Sequence, residues 1–412
     1  MNLFQDKNIL LGVSGSIAAY KAVDLASKLA QAGARVQVIL TQSAVQFVSP
    51  LTFQSVTAQR AFVDADLWGR AGHIRHIGLA RAAQLLVIAP ATANTIAKLA
   101  HGLADNLLSI TTLAAECPLL VAPAMDGGMY AHPSTQENLA RLRRRGVTII
   151  GPAEGHLASG LTGLGRMVEP QEILGHIRLA LAAGGPLQGR RILVSAGGTQ
   201  EPIDPVRLIT NRSSGKQGYA LAQAALDLGA AVTLVSTPVC LETPAGAQRI
   251  LVSTAQEMLE AILEEIPRAD ALIMAAAVAD FRPASIAADK LKKKEGLPEI
   301  TLEPVPDILD EVAARKEPDG RPYVIAGFAA ESQNLLANAR AKLEAKKLDL
   351  IVANDITAAD AGFGVDTNRV SLISKDGKID SLPLMSKIQV ASTIMEKIVE
   401  LLPDFSGQGA HG

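Results

Sequence analysis

Two histidines stand in the stretch His73-Ile-Arg-His76-Ile-Gly-Leu-Ala80, just ahead of the apolar run Leu85-Leu-Val-Ile-Ala89 and the turn Pro90-Ala-Thr-Ala-Asn94. An imidazole has an unperturbed pKa of ~6.5, so it takes or gives a proton near neutrality. Spacing alone leaves His73 and His76 both open, as proton-transfer groups or as capping and surface residues. A turn of small and hydroxyl residues that opens a helix leaves backbone N–H groups free for an anion. A base and an anion cradle at the carboxyl end of one strand is where open α/β sheets bind ligands.

More polar groups fall at strand ends in the first half: Ser14, Ser16, Thr41, Thr92, Asn94 and Asp126. They suit a flat, phosphorylated cofactor, and equally ordinary turn and cap chemistry. Gly12, Gly15 and Ser16 lack the spaced glycine triplet of a dinucleotide site, which counts against an NAD-dependent oxidoreductase. Gly155, Gly160, Gly163 and Gly165 lie among small residues up to Met167 and suggest a mobile flap over a site.

In the second half Lys342 and Lys346 are four apart and share a helix face. With Lys290 they are the cations a triphosphate needs, or a solvated lysine face. Asn211-Arg-Ser-Ser-Gly-Lys216 enters a helix and suits a phosphate or carboxylate, without the spacing of a Walker loop. Asp280, after an apolar strand, suits Mg²⁺, a nucleobase or a plain turn.

The elements that position these residues read as α/β. Strand 8–13, a turn at 14–17, helix 18–32 and strand 35–40 form a parallel βαβ unit. Strands 85–89 and 119–125, helix 136–145 and a short strand 147–150 continue it. Residues 182–189 read as a linker. A second βαβ then opens with strand 191–195, a polar loop over 200–214, helix 216–228 and strand 231–236. Strands 269–276, 323–331 and 348–355 and a helix over 338–347 follow. Residues 404–412 read as a disordered tail.

Bulk composition agrees. The 412 residues suggest two or three domains at ~150 residues each. The chain is 48% hydrophobic but 3% aromatic, too few aromatics for base stacking. A net charge of −2 argues against a nucleic-acid partner. Two cysteines, Cys117 and Cys240, make no disulfide framework and point to a reducing cytoplasm. The first residues lack the plan of a signal peptide, and no apolar run reaches the ~20 residues of a membrane helix, so no membrane association is expected.

Taken in order, Gly15-Ser-Ile-Ala-Ala-Tyr-Lys21, His76-Ile-Gly-Leu-Ala80, Ala89-Pro-Ala-Thr-Ala-Asn-Thr95 and Pro123-Ala-Met125 resemble the flavin-dependent cysteine decarboxylases. Asp204-Pro-Val-Arg207, Asn211-Arg-Ser-Ser-Gly-Lys-Gln-Gly218, Ala275-Ala-Ala-Val-Ala-Asp280, Gly327-Phe-Ala-Ala-Glu331 and Ala353-Asn-Asp355 are similar to the phosphopantothenate–cysteine ligase domain. Nearly the whole chain therefore resembles the family of bifunctional coenzyme A biosynthesis proteins. The resemblance implies two Rossmann-like parallel-sheet domains. Residues 1–185 would be a flavodoxin-like FMN-binding decarboxylase, and 186–403 a CTP-dependent ligase.

It also implies roles. Asn211 would steady an acyl-cytidylate formed from CTP, with Mg²⁺, and 4′-phosphopantothenate, which L-cysteine then attacks. Arg207, Ala275, Asp280, Lys290, Pro306, Asp307, Ile308, Leu309, Phe328, Lys342 and Lys346 would bind substrate. No Mg²⁺ ligand is singled out. In the first half Gly15, Ser16, Ile17, Thr41, Thr92, Ala93 and Asn94 would contact FMN, and His76 would be catalytic. Asp126 and Met129 would face substrate. The family forms symmetric homo-oligomers, trimers through the flavin half and dimers through the ligase half.

Two positions depart from the family pattern. Asp126 stands where Asn is usual, and Ser159 where the flap carries a proton-donating Cys. An anion at 126 repels a carboxylate unless it is protonated or turned away. A serine hydroxyl is a far weaker acid than a thiol of pKa ~8.5. The departures leave two readings, a working variant and a ligase whose flavin domain is impaired or serves assembly.

Overall fold

Asn8–Val13 is apolar at almost every position and buried, as a strand covered on both faces must be. It is β1 of the first of two compact units, Met1–Ala182 and Ala183–Gly412. The computed structural model describes residues 2–68, 75–292, 299–315, 320–331, 334–355 and 364–404. His73, the lysines 293 and 294, and the tail from 405 lie outside them.

In the first unit β1 leads to α1 (Ala19–Gln31), β2 (Arg35–Leu40), α2 (Pro50–Thr57), β3 (Ala61–Val63), α3 (Arg75–Ala82) and β4 (Leu85–Ala91). Then come α4 (Ala93–His101), α5 (Leu107–Ala114), β5 (Leu119–Pro123), α6 (Gly127–Ala131), α7 (Pro133–Arg144) and β6 (Thr148–Ile149). A hairpin of β7 (Ala153–His156) and β8 (Thr162–Arg166) and the helix α8 (Pro170–Ala182) follow. The sheet is parallel in the order β3-β2-β1-β4-β5-β6. Without the three-residue edge strand β3, this is the 2-1-3-4-5 order of flavodoxin-like sheets. The order reverses between β1 and β4, so a crevice opens at their carboxyl ends. One face is covered through Leu25, Phe53 and Ile177, the other through Leu79, Ile96 and Leu139.

The second unit begins with β9 (Arg191–Ala196), the short pair β10 (Gln200–Pro202) and β11 (Leu208–Thr210), α9 (Lys216–Asp227), β12 (Ala231–Ser236) and β13 (Ala247–Leu251). It continues with α10 (Ala255–Glu265), β14 (Ala271–Met274), β15 (Phe281–Pro283), β16 (Leu302–Pro304), α11 (Ile308–Ala314), β17 (Val324–Glu331) and α12 (Leu335–Ala345). The last elements are β18 (Leu350–Asp355), β19 (Thr367–Asn368), β20 (Val370–Ser374), β21 (Ile379–Ser381), β22 (Met385–Ser386) and α13 (Lys387–Leu401). The main sheet runs β13-β12-β9-β14-β17-β18-β20-β21, parallel as far as β18 and antiparallel beyond it.

Several local expectations change. His76 is not in a loop but in the first turn of α3. The 200–214 loop contains the β10–β11 hairpin. Of the 182–189 stretch, Ala182 ends α8 and the rest belongs to the second unit, where the Leu187 N–H donates to the Leu228 carbonyl at 2.8 Å. The glycine-rich flap is an antiparallel hairpin docked on the loop after β5. There the Met125 N–H donates to the Gly165 carbonyl at 3.0 Å. Gly165 has φ +156°, and a Cβ on it would lie 2.3 Å from the Met125 carbonyl oxygen, so only glycine lets the two backbones meet. Lys21, buried on α1, holds the exit of the hairpin by donating to the Met167 carbonyl (3.1 Å) and Glu169 Oε1 (2.9 Å).

Candidate functional site

At the crevice of the first unit, three strand ends are laced together. The buried Ser14 hydroxyl donates to the Pro90 carbonyl at 2.8 Å and accepts from the Thr92 N–H at 2.9 Å. The Thr41 N–H donates to the Val13 carbonyl at 3.0 Å. A Cβ on Gly15 would lie 2.4 Å from Ser43 Cβ, so the β1–α1 turn seats directly on the loop after β2. The structure thus brings Gly15, Ser16, Ile17, Thr41, Thr92, Ala93 and Asn94 to one sheet edge. The Thr92 hydroxyl caps α4, accepting from the Thr95 N–H. The Ala93 and Asn94 amides in that first turn have no carbonyl four residues back within the helix, and so remain for an anion.

Asp126 caps α6 and also meets the hairpin. Its Oδ1 accepts from the Gly128 N–H at 2.9 Å, and its Oδ2 from the Ser159 hydroxyl at 2.6 Å. The Ser159 hydroxyl, then the Gly128 amide, hold the Asp126 carboxyl below the usual carboxylate range. Asp126 is therefore an ionised carboxylate engaged by the flap, not a protonated acid. It lines a recess of about 490 Å³ with Tyr130, Gln136, Leu157, Leu161 and Leu164. Met129, 51% exposed, stands outside that wall.

His76 is half-buried. Its Nδ1 is buried and hydrogen-bonded to nothing among the described residues. The neighbouring Arg75 guanidinium lies 5.3 Å from the Phe62 ring centroid, which helps to seat the start of α3. His76 does not line the recess beside Asp126.

The second unit holds a cavity of about 650 Å³ at the carboxyl ends of β14 and β17. Asn211, Ala275, Asp280, Pro306, Asp307, Ile308, Leu309, Phe328 and Lys342 all line it. Asn211 Nδ2 donates to the carbonyls of Ala277 (3.2 Å) and Val278 (3.0 Å) and so pins the loop after β14. The same loop is tied to β9 and the turn after it, the Ala276 N–H donating to Ser195 Oγ at 3.1 Å and the Ala279 N–H to Thr199 Oγ1 at 2.9 Å. Lys342 Nζ donates to the Phe328 carbonyl at 3.1 Å.

Three expected cavity residues are elsewhere. Lys346 is drawn off by two carboxylates, Asp307 at 2.9 Å and Asp310 at 2.7 Å. The Asp310 hydrogen bond, with that of Asp307, raises the Lys346 pKa against the cost of burial. Burial also opposes ionisation of Asp307, but Lys346 and the Asp310 N–H hold its carboxyl below the usual range. Arg207 pairs with Asp204 at 3.2 Å and donates to the Leu291 carbonyl at 3.0 Å. Lys290 is not part of the wall. Converging cations from 290, 342 and 346 are thus reduced to Lys342. The wall contains instead Arg212, Lys216 and Lys387, with Asn354 and Asn368. Lys216 sits in a quoted motif, but nothing local marks Lys387, an ordinary cation at a helix start. Among the described residues no cluster of three metal-ligating side chains occurs.

Comparison with known proteins follows the same division. Residues 3–181 match the Flavoprotein family. Residues 187–402 match the DNA/pantothenate metabolism flavoprotein C-terminal domain. The chain is similar to the coenzyme A biosynthesis bifunctional protein CoaBC of Bacillus subtilis (strain 168), 47% identical over 97% of this chain and 98% of that protein. It is likewise similar to CoaBC of Mycobacterium bovis, 45% identical over 96% and 97%. Among solved structures, the C-terminal domain of a CoaBC aligns at 40% identity with a TM-score of 0.45, covering 53% of this chain and 98% of that one. The FMN-dependent cysteine decarboxylase SpaF aligns at 32% identity with a TM-score of 0.38, covering 43% and 97%.

Proposed function

The chain belongs to the family of bifunctional coenzyme A biosynthesis proteins, and on that premise we propose which of its residues carry the two activities. It is a phosphopantothenate–cysteine ligase and a phosphopantothenoylcysteine decarboxylase in one polypeptide. The observation that carries the residue assignment is the second unit's cavity, where Asn211, Asp280, Phe328 and Lys342 converge from four separate segments.

Ligation belongs to residues 186–403. A carboxylate oxygen of 4′-phosphopantothenate attacks the α-phosphorus of CTP and pyrophosphate leaves. The cysteine amine then attacks the acyl carbon, and CMP departs with the electron pair. Lys342 balances charge growing on the leaving pyrophosphate. The Pro306–Leu309 segment and Phe328 hold the nucleotide. Asn211 fixes the Ala277–Val278 loop against which the acyl-cytidylate lies. Mg²⁺ would ride on the CTP phosphates, with Asp280 as a protein carboxylate, since Mg²⁺ favours substrate phosphates plus one or two carboxylates.

Decarboxylation belongs to residues 1–185. The laced strand ends fit FMN: free first-turn amides of α4 for its phosphate and hydroxyls at 16 and 41 along the edge. FMN, when bound, supplies the two-electron oxidation of the cysteinyl thiol that lets CO₂ leave. His76 takes a proton from the substrate through a ring nitrogen. Ser159 is the candidate donor for the final protonation; in this geometry its hydroxyl donates to Asp126, so the pair also ties the hairpin down. The family resemblance implies a homo-oligomer, and that is the assembly proposed for this chain. No helix among the described residues is long and apolar enough to cross a membrane, and we place the enzyme in the cytoplasm.

The test is one preparation with two assays. With CTP, Mg²⁺, L-cysteine and 4′-phosphopantothenate, it should release CMP and pyrophosphate and form 4′-phosphopantothenoylcysteine. It should purify yellow and release CO₂ from that product. Failure of either assay with a folded protein refutes the assignment for that half.

A further inference from the structure

On the ligase reading of the second unit, CTP and 4′-phosphopantothenate occupy one cavity of about 650 Å³ together. Two polyanions so close repel each other unless each meets its own cations. Lys342 reaches the cavity from α12, which packs on β17 and β18. Lys216 and Lys387 reach it from the first residues of α9 and α13, helices packed on each other, with α9 lying over β9 and β12. Besides Arg212 of the Asn211 loop, the wall therefore carries two separate cationic groups. The segments assigned to the nucleotide, 306–309 and Phe328, belong to the side of α11 and β17. The pair at 216 and 387 belongs to the side of β9, next to Asn211.

The pair is built into the fold. Lys387 is 7% exposed. Its N–H donates to the Asp366 carbonyl at 2.9 Å, and its carbonyl accepts from Gln217 Nε2 at 3.3 Å. Lys216 Nζ donates to Asp366 Oδ1 at 2.6 Å and to the Gly364 carbonyl at 3.2 Å. Burial first, then the charge of Lys216, pull the Lys387 ammonium below its usual range, with Asp366 only partly opposing. A phosphate dianion beside both lysines relieves that repulsion. A second observation points to a ligand. Asn354 lines the same cavity at 8% exposure, and its Oδ1 is buried without a hydrogen-bond partner among the described residues. A buried acceptor left so is costly unless a donor reaches it. 4′-Phosphopantothenate carries such donors, a hydroxyl and an amide N–H, on the same chain as its phosphate.

We propose that Lys216 and Lys387, with Asn354 beside them, form the subsite for the phosphate monoester of 4′-phosphopantothenate, leaving Lys342 to the CTP phosphates. Steady-state ligation by the full-length protein tests it, with KM measured for CTP, for 4′-phosphopantothenate and for pantothenate lacking the phosphate. Lys387→Met should raise KM for 4′-phosphopantothenate roughly ten- to a hundredfold, the loss of a charge-assisted contact. KM for CTP and for pantothenate should stay at wild-type values, and Lys387→Arg should recover most of the loss. A rise confined to CTP would give the pair to the triphosphate and overturn the proposal, as would no rise for either. A CTP-induced thermal shift confirms that the variant folds; if it does not, Lys216→Gln carries the same comparison. A wild-type protein that forms no ligated product refutes the ligase reading itself. Wild-type ligation with an unmoved KM for 4′-phosphopantothenate in the variants refutes only the subsite.

Discussion

Ser159 donates its hydroxyl to Asp126 Oδ2 over 2.6 Å, joining the tip of a glycine-rich hairpin to the cap of α6. Because this bond and the Gly128 amide depress the folded pKa of Asp126, its acceptor role is complete above the ordinary carboxylate value of ~3.9. It is lost as pH falls through the lowered folded value. Ser159→Ala should move that loss to higher pH, read by NMR titration of the Asp126 carboxyl. An unshifted titration would show that Ser159 does not hold the carboxylate. The same variant should slow the last decarboxylase step, so that oxidised enethiol accumulates; an unchanged rate removes Ser159 as donor.

His76→Asn keeps a side chain of similar reach but removes the base. CO₂ release should vanish while CMP release by the other unit continues. Full decarboxylation by this variant refutes the role of His76.

Gly165→Ala places a Cβ where the Met125 carbonyl oxygen already lies and asks alanine for φ +156°. The hairpin should detach from the loop after β5, at a cost of about 1–3 kcal/mol in the first unit. Limited proteolysis within 153–166 should accelerate, and decarboxylation should fall with ligation unchanged. A hairpin as protease-resistant as the wild type would contradict the docked geometry.

Asn211→Asp replaces a donor by a carboxylate facing two carbonyl oxygens, those of Ala277 and Val278. The loop after β14 should be pushed out of place and cysteine ligation should stop, while acyl-cytidylate formation can survive. Single-turnover measurement of pyrophosphate and amide product separates the steps. Undiminished amide formation would remove Asn211 from the ligation step.

Gly218→Ala tests how α9 is seated. The added Cβ would lie 2.5 Å from Ala196 Cβ and 2.9 Å from the Ser195 carbonyl oxygen, so the helix must move off β9. Destabilisation of about 1–3 kcal/mol is expected, seen as a lower unfolding midpoint for the second unit with flavin release unmoved. No change in that midpoint would mean the helix shifts freely.

What the chain determined by itself is local and ordered. Apolar runs such as 8–13 and 85–91 are strands because every side chain must be buried on one face or the other. Turn residues, caps and the succession of motifs place the polar groups at strand ends. Those features also carried the family resemblance, and with it the candidate residues of the two sites. Tertiary structure decided what depends on contacts distant in sequence. Lys342 and Lys346 look equivalent at helical spacing, yet of the two only Lys342 enters the cavity, because Asp307, which caps α11, and Asp310 in its first turn take Lys346. Whether Asp126 is protonated or ionised stays open until the Ser159 hydroxyl and the Gly128 amide are seen to hold its carboxylate. Lys216 and Lys387 meet only because α9 packs on α13. Periodicity reports which way a side chain faces from its own element; which charge it meets there is set by the packing of elements far apart in the chain.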